Sequence, residues 1–211
     1  MSIQKTAGHA LELGLKKQGI DCSVEIRRKL VTFIELLVKW NRVYNLTAIR
    51  DVKKMVSHHI LDSLAVAPFL HGAEVLDVGS GAGLPGVPLA LISPERQFVL
   101  LDSNAKKTRF MQQAKTELGL DNVTVATARV EDFHPGKKFD TILSRAFASI
   151  SQMLLLAGHL CQPKGVIVAL KGAYPVDELD DIPQGYIIKA VEHITVANMD
   201  EQRHVVELVA L

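Results

Sequence analysis

Three glycines at alternate positions, Gly79, Gly81 and Gly83, follow the apolar run 74–78 and precede a helical pattern over 86–92. Without Cβ atoms such a turn folds sharply and lets a ligand approach its N–H groups. The helix behind it adds roughly half a positive charge at its N-terminus, which suits a carboxylate. Pro85 falls just inside that helix, where its missing N–H costs little. A nicotinamide fingerprint would read G-x-G-x-x-G, but Leu84 stands at its sixth position, and Asp77 closes the run before the first glycine. An acid there would repel a pyrophosphate, whereas a cationic amino group and a sulfonium would tolerate it. The next apolar run, 97–102, ends on Asp102, at the spacing where such folds present a carboxylate to a ribose hydroxyl pair. Turn, helix and acid together point to S-adenosylmethionine as the cofactor.

Other reactive side chains are scattered. Cys22 and Cys161 have no metal-ligand spacing around them, so they read as reduced thiols, and no metal site or disulfide framework is expected. The eight histidines form no Ser-His or Cys-His arrangement suited to nucleophilic catalysis. His58 and His59 follow a helical run and read as partly buried polar residues. Arg145, Lys171, Arg203 and His204 each stand near the end of an apolar run on the second half of the chain, where cations can hold RNA phosphates or offset charge on a base. For the last three a surface ion pair is an equal alternative. Asn45 and Thr47 either line a pocket or cap a helix.

The elements that must position these residues follow from periodicity. Over 6–70 apolar residues recur at three- and four-residue spacing, with Gly19 a stop for the first helix, Ser23 an N-cap for the second and Asp51 a cap for a third that runs toward Pro68. After Gly72 short apolar runs at 74–78, 97–102, 123–126, 139–144 and 165–171 alternate with helical segments at 86–92, 104–118 and 149–160, the pattern of a mostly parallel α/β sheet. Two long strands, 186–196 and 204–211, close the chain as an antiparallel hairpin. The expected fold class is therefore α/β, a Rossmann-like methyltransferase sheet (73–211) behind an N-terminal helical cap (1–72).

Net charge is +1, which argues against a generally basic nucleic-acid binder, but it is unevenly spread. Residues 1–72 hold 11 Lys and Arg against 6 Asp and Glu, a net +5, while the remainder carries −4. Arg27, Arg28, Lys29, Lys53 and Lys54 are candidates to grip an RNA backbone. No apolar run is long enough to span a membrane, and the N-terminus lacks the layout of a secretory signal, so a cytoplasmic protein is expected.

The stretch DVGSGAGLPGVPLA and its satellites resemble one family over the chain from about residue 40 onward. The satellites are Asn45-Leu46-Thr47-Ala48-Ile49, His58-His59-Ile60-Leu61-Asp62-Ser63-Leu64, Asp102-Ser103 with Lys106-Lys107, Ser144-Arg145-Ala146-Phe147, Lys171-Gly172 and the segment 201–204. The family is that of the small-subunit ribosomal RNA guanine-N7 methyltransferases, RsmG or glucose-inhibited division protein B. The resemblance implies methylation of nitrogen-7 of a guanine in the decoding region of 16S ribosomal RNA, with the RNA or the small ribosomal subunit as partner. It places the cofactor site on Gly79, Leu84, Val130, Glu131 and Arg145, to which the spacing argument adds Asp102. Arg145, at the border of cofactor and guanine, is the expected catalytic residue. A small-molecule or protein methyltransferase of the same fold, an RNA-binding module without transfer, and a nicotinamide oxidoreductase are the competing functions.

Overall fold

Helix-stopping and helix-capping residues divide the N-terminal region as expected in the computed structural model, which describes residues 2–145, 147 and 149–211. Helix α1 (Ile3–Gln18) ends on Gly19 at φ 68°, a left-handed closure that glycine adopts without strain. Ser23 Oγ accepts the Ile26 N–H to open α2 (Val24–Tyr44), which ends on Asn45 at φ 49°. Asp51 caps α3 (Val52–Met55), which continues unbroken through a π-helical turn, Val56–Leu61, into α4 (Asp62–Leu64). A π-turn shifts the facing of the residues after it relative to a regular α-helix, and such turns gather at functional sites. α1 packs close against it because residue 14 is glycine: a Cβ there would run into the Leu61 side chain.

The sheet holds β1 (Glu74–Val78), β2 (Gln97–Asp102), β3 (Val123–Thr127), β4 (Phe139–Ser144), β5 (Cys161–Lys171), β6 (Tyr186–His193) and β7 (His204–Ala210) in the order β3-β2-β1-β4-β5-β7-β6. The first five run parallel, and β7 is antiparallel to both its neighbours. Helices α5 (Gly86–Ile92), α6 (Ala105–Leu118) and α7 (Ile150–Ala157) carry the crossovers, and α8 (Val176–Leu179) is a single turn before the hairpin.

Differences from the expected bounds have local causes. β5 starts at Cys161 rather than 165, because a register irregularity lets Cys161 pair with Phe139 before the ladder resumes at Val166, with Lys164 at φ 69° between them. β6 stops at His193, since Val196 and Ala197 leave the ladder and bury themselves in the core instead. Pro85 precedes α5 as its N-cap rather than lying inside it. Residues 158–160 form a separate 3-10 turn after α7.

Neighbouring strand residues face opposite layers, as the period of two requires. Val75 joins a core shared with Leu11, Leu30, Phe33, Ile34 and Phe110, whereas Leu76 faces Ile142, Met153, Leu154 and Ile167 beneath α7. The core on the first face runs straight from the cap into the sheet, although the sequence pattern changes at residue 72. Phe33 and Phe110 lie 5.9 Å apart between α2 and α6, and Trp40 meets Phe110 at 5.7 Å. Among the described residues no helix is long and apolar enough to cross a membrane.

A shared core should unfold as one unit. Trp40, the only tryptophan, reports on the cap, and far-UV circular dichroism reports on the whole chain. Their urea transitions should coincide, and Phe33→Ala should lower stability by about 3–5 kcal/mol while keeping them coincident. Two separated transitions would show that cap and sheet unfold independently.

Candidate active site

The glycine turn is fastened to the end of β2. Gly79 and Ser80 both donate their N–H groups to the Leu101 carbonyl, at 2.8 and 3.1 Å, and Ser80 Oγ donates to the Asp77 carbonyl at 2.8 Å. Gly79, Gly81 and Gly83 sit at φ 70°, 57° and 74°, a region side chains avoid. Asp102 completes the fastening: Oδ2 accepts the Gly81 N–H at 2.9 Å and Oδ1 accepts the Asn104 N–H at 2.8 Å, with Lys107 Nζ 3.8 Å from Oδ2. Its carboxylate thus holds turn and helix start together and keeps a further lone pair on each oxygen.

Beside this turn lies a cavity of about 390 Å³ at the C-terminal ends of β1 to β3, where ligands of open α/β sheets bind. Gly79, Asp102, Val130 and Glu131 line it together, with Phe147 and Leu156 from the other side. Val130 and Glu131 are set there by a 3-10 turn, Val130–Asp132. Leu84 and Arg145 are not among the lining residues. Leu84 is buried in the core beneath the turn, with its N–H given to the Ser80 carbonyl, and Arg145 opens onto a neighbouring cavity. Ala146, part of the motif after β4, lies outside the described residues.

Asp77 does not face a ligand, contrary to the expectation from its place before the first glycine. It is wholly buried, and its Oδ2 accepts the Gly86 N–H at 2.9 Å. The carboxyl therefore takes one of the helix-terminal donors expected to serve a cofactor carboxylate, while its Oδ1 has no hydrogen-bond partner. Burial pushes its pKa up to about 7, and the Gly86 and Ser80 hydrogen bonds only partly oppose that shift. The acid at this position pins α5 to β1.

The second cavity, about 280 Å³, gathers Arg145, Lys171, Arg203 and His204 around Asp62. Asp62 is 2% exposed, yet both oxygens are matched: Arg203 Nε donates to Oδ1 at 3.1 Å, and Arg145 Nη1 lies 3.2 Å from Oδ2 as an ion pair without hydrogen-bond angles. Lys171 is taken by Glu178 at 2.7 Å, and His204 Nδ1 donates to the Gly172 carbonyl at 2.9 Å. Sequence reasoning assigned Asp62 no role. The available signal was a carboxylate set inside the apolar segment 60–64. His59, one turn earlier, bonds Thr47 Oγ1 through Nε2 at 2.9 Å, and its Nδ1 is buried without a partner. Burial, then the Arg145 charge, lowers its pKa to about 4, so the ring is neutral at pH 7.

Thr47 also accepts the Ile49 N–H and donates its own N–H to Asn41, and Asn45 closes α2, so both belong to the cap junction. Of the five cap cations, Lys53 and Lys54 border a groove with α1, Arg27 and Arg28 border another beside Glu12, and Lys29 pairs with Glu25 at 3.7 Å.

Residues 26–206 match the family model described as GidB, rRNA small subunit methyltransferase G. Relatives named ribosomal RNA small subunit methyltransferase G include one from Nitrosococcus oceani, 48% identical over 94% of this chain and 92% of its own. Another, from Methylococcus capsulatus, is 50% identical over 94% of this chain and 96% of its own. Among solved structures, a SAM-dependent methyltransferase from Aquifex aeolicus superposes with a TM-score of 0.58 at 17% identity, covering 79% of this chain and 97% of that one. M. jannaschii TYW2 in complex with AdoMet gives 0.56 at 17%, covering 72% and 76%. These structural likenesses share the fold.

Two buried groups of the site oppose each other in pH dependence. Asp77 holds its proton to about pH 7 when folded against an ordinary value of 3.8, so its contribution falls as pH rises between those values, by roughly 1.4 kcal/mol per unit. His59 resists protonation to about pH 4 against 6.5, so its contribution is lost as pH falls through that window. Wild type should therefore show little net slope from these two groups between pH 4.5 and 6.5. Asp77→Asn, which can still accept the Gly86 N–H, should leave the His59 slope exposed, so that its urea midpoint rises with pH across this range. Parallel midpoint profiles for the two proteins would contradict the assignment.

Proposed function

The chain belongs to the rRNA small subunit methyltransferase G family, and on that premise we propose that it transfers a methyl group from S-adenosylmethionine to nitrogen-7 of a guanine in the decoding region of 16S ribosomal RNA. The observation that carries this reading is a pair of cavities flanking the segment after β4, with Phe147 on the first and Arg145 on the second. One combines apolar side chains, Val78, Leu101, Val130, Phe147 and Leu156, with the buried Asp102 carboxylate, the chemistry of a nucleoside slot. The other is rimmed by cations, the chemistry of an RNA slot.

The first cavity fits the cofactor. Gly79 allows close backbone approach, Asp102 retains lone pairs for ribose hydroxyls, Val130 offers an apolar wall for adenine, and Glu131 adds an acceptor at the rim. Leu84 supports the turn from below. When bound, S-adenosylmethionine supplies an electrophilic methyl group on a sulfonium.

Nitrogen-7 of guanine has an available lone pair and no proton to lose, so the protein's task is to position and desolvate rather than to act as a base. The site is built accordingly. His59 is neutral but turned into the cap junction, and Asp62 is saturated by two arginines. Arg145, the catalytic residue in this scheme, presents donors and a planar face to the guanine; lysine cannot reproduce that combination. Arg203, held by the same carboxylate, is placed for the nucleotide's phosphate. Asp62 is a positioning residue that fixes the spacing of the two guanidinium groups. Either the free RNA or the assembled small subunit in the cytoplasm would present the target.

Incubation with tritiated S-adenosylmethionine and 16S RNA, assembled small subunits or a metabolite pool tests the function. Label at nitrogen-7 of a 16S guanosine is expected, and label confined to metabolites would refute it. Arg145→Ala should cut turnover by about 10²–10³-fold, the loss typical of one charge-stabilising donor, with an unchanged circular dichroism spectrum. Full turnover at saturating cofactor would remove Arg145 from the mechanism.

A further inference from the structure

A groove of about 610 Å³ runs between α1 and the start of α3, away from both cavities of the site. Its floor is apolar, with Ala10, Leu13, Val56 and Leu61, and Leu13 is 52% exposed despite being a large hydrophobe. Its rim carries Lys5, His9, Lys53 and Lys54, all exposed, and its lining includes no acid. Among the described residues none of these four makes an ion pair. The groove on the other side of α1 differs, since Glu12 stands there beside Arg27 and Arg28. An apolar floor under three uncompensated lysines suits a nucleobase with its phosphates, the combination by which proteins hold single-stranded nucleic acid.

Two continuous pieces of chain join this groove to the cation-rimmed cavity. The helical run from α3 through the π-turn carries Lys53, Lys54, Ser57 and Leu61 along the groove and then Asp62 into the cavity. Lys54 and Asp62 are eight residues apart, at most about 12 Å along the run because its π-turn rises less per residue than an α-helix. The β6–β7 loop makes the same passage, with Asn198 on the groove and Arg203 in the cavity. It is fixed to the cap along its length: Gln18 Oε1 accepts the Ala197 N–H, His58 Nε2 meets Glu201 at 3.2 Å, and Arg203 binds Asp62. The distance between the two sites is therefore set by bonded structure, and a few nucleotides of single strand bridge it.

We propose that this groove binds a nucleotide of the single-stranded ribosomal RNA flanking the methylated guanine, with the base over Leu13 and its phosphates among Lys5, His9, Lys53 and Lys54. The groove acts as a second RNA site that sets which guanine reaches Arg145. This rests on the ribosomal RNA methylation proposed for the chain.

Methyl transfer by the full chain to 16S RNA or small subunits, whichever wild type modifies, tests it. Lys53→Ala/Lys54→Ala should raise KM for the RNA substrate about tenfold, leave kcat at saturating RNA and the KM for S-adenosylmethionine unchanged, and flatten the salt dependence by roughly 0.7 per charge removed. Leu13→Ser should raise the same KM without changing the salt slope. Lys138→Ala/Lys164→Ala, near the N-terminal ends of β4 and β5 and outside the groove lining, removes equal charge and should match wild type. A photo-crosslinking side chain at position 13 should label RNA within a few nucleotides of the modified guanine. Groove variants that match wild type while wild type methylates ribosomal RNA overturn the groove alone, as does a crosslink to a ribosomal protein. Absence of ribosomal RNA methylation by wild type overturns the underlying function instead.

Discussion

A carboxylate shut away from water must be met by opposite charge or give up its ionisation. At Asp62 the requirement falls on Arg145, just after β4, and Arg203, just before β7. Asp62 itself belongs to the cap, so this one group ties three distant stretches of chain at the mouth of a cavity. Removing the carboxylate would leave two half-buried guanidinium groups without their partner. The π-turn matters in the same way, because Asp62 follows it directly and takes its direction from it. The cap is therefore part of the site as well as a cover for one face of the sheet.

The rest of the site follows from strand ends. Parallel strands deliver every loop of one kind to one edge, which is why the glycine turn, Asp102, the turn at Val130 and Arg145 converge although they span more than sixty residues. Within that edge, hydrogen bonds to Leu101 and Asp102 lock the glycine turn onto β2. A slot shaped by bonded structure suits a reaction that needs positioning more than proton transfer.

Burial assigns distinct roles to chemically similar groups. Asp62 and Asp77 are both buried carboxylates, but the first is matched by two cations, and the second accepts a single amide N–H and is pushed toward neutrality by burial. His58 and His59 are adjacent, yet one reaches Glu201 at the surface and the other is sealed against Thr47. Such distinctions decide which groups are available to a substrate.

Much of the architecture was legible because it is written in short-range pattern. β1, β2 and β4 and helix α5 fall on the expected bounds, and Ser23, Gly19 and Asp51 act as predicted, since capping and alternation are local physics. The sequence also identified the glycine turn, Asp102, Val130 and Glu131, which meet in one cavity. It misplaced Asp77, because residue type reveals a charge but not whether it faces ligand or core. It passed over Asp62 because the value of that carboxylate depends on two arginines 83 and 141 residues away. The register irregularity in β5 and the departure of Val196 from β6 were hidden for the same reason, as apolar residues look alike whether they pair in a ladder or bury in a loop. The sequence by itself determined the fold class, the sharp glycine turn after β1 and the family. Only the tertiary structure decided which charges stand together, because that depends on contacts between segments far apart in the chain.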